Sequence, residues 1–164
     1  MLALRFAAVV AIAVWIGGLL ALGAIAAPAI FDAVAARGIL DARIVSGAVF
    51  GEVLRRFHLV AYVCGGAILL TLVARAVLGP RPRRFALRCA IAGVMATAAL
   101  YAGLIVQARV TALQQEIGVN VAPSSLPADD PRRVEFGRLH GRSAMLQFVP
   151  IAGGLLLLLW ELGD

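Results

Sequence analysis

The sequence predicts an all-α integral membrane protein, a four-helix bundle that crosses the bilayer four times. Apolar residues make up 62% of the 164 positions and charged residues only 15%, against about 45–50% and about 25% in soluble domains. Four apolar stretches each approach or exceed the ~20 helical residues needed to cross a hydrocarbon core of about 30 Å. None of them shows the alternating pattern of a barrel strand, so the spans are predicted to be helices.

A single transmembrane domain is expected to fill the chain, with spans at about 6–31, 57–78, 86–108 and 139–161. The first span begins after Arg5, as a secretory signal does. Its uncharged run from Phe6 to Phe31 is far longer than a signal h-region of about 7–15 residues. We therefore expect this segment to be retained as a membrane helix.

The linker between the second and third spans fixes the predicted orientation. It contains Arg75, Gly79, Pro80 and four further arginines up to Arg88, and it contains no acid. The positive-inside rule places such a loop in the cytoplasm, which puts both chain ends there as well. The other two loops mix acids with arginines and are predicted to lie outside. We expect a multi-pass protein of the bacterial cytoplasmic (inner) membrane.

The third and fourth helices are predicted to extend beyond the bilayer on the outer side. The residues from Val110 to Glu116 continue the third helix as far as Gly118, a residue that often ends helices. Asp130 followed by Pro131 is a typical N-cap and first-turn pair, so the fourth helix is expected to begin near Pro131.

A stripe of small residues on the first helix indicates close helix packing. Small side chains let membrane helices approach each other, because packing rather than hydrophobicity drives their association. The stripe runs at helical spacing through Gly17, Ala21, Ala24 and Pro28.

Two helices carry polar stripes that are expected to face the bundle interior, because polar groups at membrane depth seldom face lipid. On the fourth helix the stripe contains His140, Ser143 and Gln147, and on the second helix it contains His58 and Tyr62. Both helices run inward from the outer surface. The two histidines of the chain are therefore predicted to lie at similar depth near the outer face.

Several roles are open to these histidines. His58 and His140 together could ligate a haem b iron or a copper ion. They could instead hydrogen-bond a quinone or a lipid head group, or be chemically idle. Cys64 and Cys89 form no metal-binding pair, and no acid orients a nucleophile, so no enzymatic activity is expected.

The preferred interpretation is a non-enzymatic structural or accessory subunit, or a binder of a small ligand or lipid. The bilayer is its expected partner, together with a larger membrane complex or a homo-oligomer. Nucleic acid is not expected, because all fifteen basic residues are arginines set between apolar runs. A transporter of small solutes is a further alternative, although no broken helix or inverted repeat supports it.

The fourth helix carries a motif that resembles a known family. Phe136, His140, Gly141, Ser143 and Gln147 read F-x-x-x-H-G-x-S-x-x-x-Q. This pattern resembles the last helix of the family built around eukaryotic transmembrane protein 205 and its bacterial relatives, which carry a domain of unknown function. That family commonly has asparagine at the last position.

The resemblance implies a four-helix membrane protein with no established enzymatic activity. Gln107 and Arg109 are similar to the end of that family's third helix, so the resemblance adds both to the candidate ligand-binding residues near the outer face. A more distant similarity to copper-resistance D-type membrane proteins leaves the haem or copper alternative open and adds no support to it.

Overall fold

A computed structural model describes residues 1–39 and 41–163; Leu40 and Asp164 lie outside the described residues. Four long helices account for most of the chain, and each is long and apolar enough to cross a membrane. Their bounds are Leu2–Ala35 for α1, Ala42–Leu78 for α2, Phe85–Ile117 for α3 and Pro131–Gly163 for α4. A short 3-10 turn at Pro123–Ser125 lies in the loop before α4. The predicted all-α bundle of four spans is confirmed.

The helices form a ring in which each helix packs beside its neighbour in the sequence. Helix α1 contacts α2 and α4, and α3 contacts the same two helices, so α2 and α4 stand on a diagonal. The first turn of α1, the last described turn of α4 and the α2–α3 loop (residues 79–84) lie at one end of the bundle, which we name the inner end after its predicted orientation. The opposite end, with the connections from α1 to α2 and from α3 to α4, is the outer end.

Two helices contain a π turn in which the ladder of hydrogen bonds is widened by one residue. In α1 it covers Leu22–Ala26, just before Pro28, whose ring lacks an N–H and clashes with the preceding turn of an ideal helix. In α3 it covers Tyr101–Val106 and contains Gly103. Such turns frequently occur at functional sites.

The apolar core runs along the centre of the bundle. Its most deeply buried members include Ile12 and Trp15 of α1, Ile68 of α2 and Met95 of α3. A second, smaller cluster at the outer end joins the extensions of α3 and α4, and Phe136 of the fourth-helix motif packs against it. The motif phenylalanine therefore has a packing role.

The outer extensions of α3 and α4 are confirmed. Helix α3 continues to Ile117 and ends at Gly118, whose φ of 113° suits glycine far better than other residues. Helix α4 begins at Pro131. The Asp130 carboxylate accepts a hydrogen bond of 2.8 Å from the Arg132 backbone N–H, which is the predicted cap.

The Asp130 cap should make the stability of the fold depend on pH. Hydrogen bonds from the Arg132 side chain and backbone lower the pKa of Asp130 from 3.8 to about 2. A depressed pKa means that the carboxylate stabilises the fold above pH 3.8 and that this stabilisation is lost as pH falls towards 2. Asp130→Asn should remove this part of the acid dependence of thermal unfolding. The neighbouring Asp129→Asn should retain it, and equal curves for the two variants would contradict the prediction.

The small-residue stripe of α1 does not pack within this chain, which corrects the expectation that it forms the packing face. All four of its residues are exposed: Gly17, Ala21, Ala24 and Pro28. The buried face of α1 instead runs through larger residues, among them Ile12, Trp15 and Leu19. Interdigitating large side chains bury more apolar area than a smooth stripe does, and this determines which face turns inward.

Candidate functional site

His58 is half-buried in the outer half of the bundle and is held in one orientation. Its Nδ1 lies 2.9 Å from the backbone oxygen of Leu54, one turn earlier in α2. A carbonyl oxygen can only accept, so Nδ1 carries the proton and donates it to Leu54. In the neutral ring the other nitrogen, Nε2, is then an acceptor.

Tyr62 stands beside His58 on the next turn of α2, with ring centroids 6.2 Å apart. Both rings face α3 at Gly103, inside the π turn. A Cβ at Gly103 would lie 2.8 Å from His58 Cδ2 and would collide with the Tyr62 hydroxyl. The absence of a side chain at Gly103 therefore makes the space that the two rings occupy.

A small cavity joins this pair to the fourth helix. Its volume is about 20 Å³, and its polar lining residues are His58 of α2 and Gln147 of α4, with Trp15 of α1 also in its wall. A cavity of about 10–15 Å³ or more, on this measure, holds one water molecule if polar partners are present. The site thus has room for one water-sized group, whereas small-molecule pockets occupy about 300–1,000 Å³.

The structure places His58 and Gln147 in the wall of one cavity and Tyr62 beside His58 but outside that wall, and it leaves the other candidate residues apart from them. His140 is exposed, and Ser143 is partly buried but does not line the cavity. Gln107 is partly buried, and its Nε2 lies 4.0 Å from where a Cβ on Gly51 of α2 would be.

Arg109 is an exposed arginine of the outer end and forms ion pairs there. Its Nε and Nη2 bind the two carboxylate oxygens of Glu135 at 2.8 and 3.0 Å, and its Nη1 binds Glu116 at 2.8 Å. This geometry links the extensions of α3 and α4 with directed charge-assisted hydrogen bonds. Exposed pairs of this kind contribute little stability individually.

No three His, Cys, Asp or Glu side chains within residues 1–39 and 41–163 are grouped so that they could hold a metal ion. The two histidines also differ in setting, because His58 faces α3 and the cavity whereas His140 is exposed on α4. A ligand shared by both would have to reach from the interior to the exposed side of α4.

A buried ionic cluster at the inner end was not predicted. Glu161 is only 3% exposed, and its carboxylate accepts hydrogen bonds from Arg75 at 2.8 and 2.9 Å and from Arg88. Arg88 also donates to the backbone oxygen of Trp160 at 3.0 Å. Arg5, one-third exposed, pairs with Glu161 at 3.5 Å. Residues from all four helices therefore meet at one carboxylate.

Arg75 and Arg88, which were counted with the arginine-rich linker from the sequence alone, lie inside the bundle instead. Both residues belong to helices, in the last turn of α2 and the first turn of α3, and both are buried. Hydrogen bonds to a carboxylate compensate the desolvation of a charge that would otherwise be very costly to bury.

The sequence did contain a signal for the cluster, namely the register of the buried stripes. In α3 the buried positions 88, 92, 95, 99, 102 and 106 repeat every 3 or 4 residues, and Arg88 is the first of them. Arg75 ends the corresponding stripe of α2, and Glu161 ends that of α4. A charged residue that continues an apolar stripe in phase is predicted to face inward.

Comparison with known proteins gives one match. The model of a family described as a domain of unknown function, DUF4149, matches residues 10–118. This stretch contains His58, Tyr62 and Gly103 but ends before α4, so it does not include the fourth-helix motif. No curated protein and no solved structure matches the chain.

Proposed function

We propose that this chain, which belongs to the DUF4149 family of domains of unknown function, is a non-enzymatic membrane protein that binds one small polar group between His58 and Gln147, with Tyr62 packed beside His58. The observation that carries the proposal is the cavity of about 20 Å³ shared by His58 and Gln147. Its occupant would bridge α2 and α4, which stand on a diagonal of the bundle.

The chemistry of the lining indicates what this group is. Nε2 of His58 accepts a hydrogen bond, and the Gln147 amide offers both a donor and an acceptor. A hydroxyl group or a water molecule satisfies both partners and fits the volume. The occupant is therefore a water molecule, or the hydroxyl end of a small ligand or lipid, and its loss would remove the hydrogen bonds that link the two side chains.

A double-mutant cycle tests this proposal. No hydrogen bond joins His58 directly to Gln147 in the described structure, so a shared occupant would supply the polar link between them. We expect His58→Phe and Gln147→Leu to be non-additive in the free energy of unfolding, with a coupling of about 0.5–3 kcal/mol.

His140→Phe, at the exposed histidine of the same chain, is the matched control and should be additive with Gln147→Leu. Nitrogen NMR of labelled histidine should also show His58 as the neutral Nδ1–H form. Additive behaviour of His58 and Gln147 would overturn the proposal, because no bridging group would then be present.

A second candidate is a haem b or copper protein that uses His58. Histidines that bind metals usually donate their other ring N–H to a carbonyl or carboxylate, as His58 does to Leu54. Purified protein with a Soret band or stoichiometric copper, lost in His58→Ala, would favour this candidate. If His140 is the second ligand, His140→Ala should abolish the signal as well.

The orientation and the lineage are part of the same proposal. A cytoplasmic inner end, in a bacterial inner membrane, is supported by the arginines of the α2–α3 loop.

A relationship to the transmembrane protein 205-like family is supported by the fourth-helix motif. In this motif Gln147 lines the cavity, and Phe136 packs against the outer apolar cluster.

A further inference from the structure

The inner end of the bundle carries an exposed basic surface. Three of its arginines, Arg81, Arg83 and Arg84, are exposed in the α2–α3 loop. We name these three residues the arginine surface. The sequence between Val53 and Gln115 contains no acid, so the loop has no carboxylate of its own to neutralise it.

Glu161, the acid described at the inner end of α4, does not neutralise the arginines of the loop either. Within residues 1–39 and 41–163, the acid that α4 brings to the inner end is Glu161, and it is only 3% exposed. Its carboxylate already binds Arg75 and Arg88 inside the bundle. The loop arginines therefore present their charge outward.

An aromatic contact fixes the depth of one of these arginines. The guanidinium carbon of Arg84 lies 5.3 Å from the ring centroid of Trp160, which is partly buried near the end of α4. Cation–π contacts of this kind hold an arginine in place. Tryptophan is enriched at the level of lipid head groups, so this contact holds Arg84 where a lipid phosphate would lie.

We propose that the arginine surface binds the phosphate of an anionic phospholipid, such as phosphatidylglycerol, in the leaflet at the inner end. Guanidinium groups bind phosphate oxygens with paired hydrogen bonds. Basic clusters just outside a membrane helix attract anionic lipids, and each arginine near the surface strengthens binding about fivefold. The acyl chains would lie along the exposed apolar faces of the helices.

The test uses the full chain in nanodiscs of phosphatidylcholine to which phosphatidylglycerol is added, with bound lipid counted by native mass spectrometry. The variant is R81Q/R83Q/R84Q. The matched control is R37Q/R138Q/R142Q, which removes the same charge from exposed arginines distant from the inner loop. A third arm adds inorganic phosphate in place of the anionic lipid.

We expect the inner triple variant to lose about 100-fold in affinity for phosphatidylglycerol and the control to change less than about threefold. If the inner triple variant does not fold, R81Q/R83Q should still lose about 25-fold, because both side chains are exposed. Equal losses in variant and control would overturn the proposal. So would inorganic phosphate that binds the arginine surface as tightly as the lipid does.

Discussion

Replacing Glu161 by glutamine should lower the free energy of unfolding by about 3–5 kcal/mol, because two buried guanidinium groups would lose the charge that compensates them. Arg75 and Arg88 both bind this carboxylate, at 8% and 1% exposure. Neither can turn to water without breaking the packing at the inner end. Unfolding in a titration with sodium dodecyl sulfate, followed by circular dichroism, measures the change.

Two further variants separate this effect from a general loss of charge. Glu116→Gln removes an exposed acid that pairs with Arg109, and it should cost less than about 1 kcal/mol. Replacing Arg75, Arg88 and Glu161 together by methionine should restore most of the stability, because apolar side chains often match or exceed a buried ionic cluster. The prediction is wrong if Glu161→Gln costs no more than Glu116→Gln.

Replacing Gly103 by alanine should lower the free energy of unfolding by about 1–3 kcal/mol, because the added methyl overpacks the contact between α2 and α3. A Cβ there would lie 2.8 Å from His58 Cδ2 and would meet the Tyr62 hydroxyl. The same variant should abolish the coupling between His58 and Gln147, because the His58 ring must move to make room.

The matched control for Gly103 lies on the same helix. A Cβ at Gly93 would meet nothing within 4 Å, so Gly93→Ala should be neutral or stabilising by up to about 1 kcal/mol, through helix propensity alone. Tyr62→Phe removes the hydroxyl that the new methyl would strike and should restore part of the stability of Gly103→Ala. If Gly103→Ala proved as benign as Gly93→Ala, the tight contact would be refuted.

The topology was predictable from the chain alone because lipid imposes strict conditions on it. A segment without charge that is long enough to cross the bilayer has to be a helix, and four such segments with short connections form antiparallel neighbours. Local signals also located the helix ends correctly. Gly118 ends α3 and Asp130 caps α4 because both act through their own backbone or the adjacent turn.

Which residues face the interior of the bundle was predicted less well. The exposed stripe of Gly17, Ala21, Ala24 and Pro28 follows a true helical period, but a period alone does not say which of two apolar faces turns inward. In a membrane helix both faces are apolar, so the contrast that marks the buried face of a soluble helix is missing. Trp15 and its neighbours bury the larger area, and they form the core.

The binding site itself stays a prediction. His58, Tyr62 and Gln147 were chosen as polar residues on helical stripes; His58 and Gln147 line one small cavity, and Tyr62 lies beside His58 at Gly103. His140 was chosen from the same stripe as Gln147, and Arg109 from the family resemblance, yet both lie at the surface. Whether they take part in binding stays a prediction, which the His140 variants test for His140.

The sequence by itself determined the class of the protein, the number of helices and most of their ends, because these depend on hydropathy and on interactions within one turn. Only the tertiary structure decided which polar residues meet. Glu161 lies 73 and 86 positions from Arg88 and Arg75, and His58 and Gln147 line one cavity across the diagonal of the bundle. Such meetings depend on how each helix rotates about its axis, and that rotation is set by side-chain packing among four helices at once.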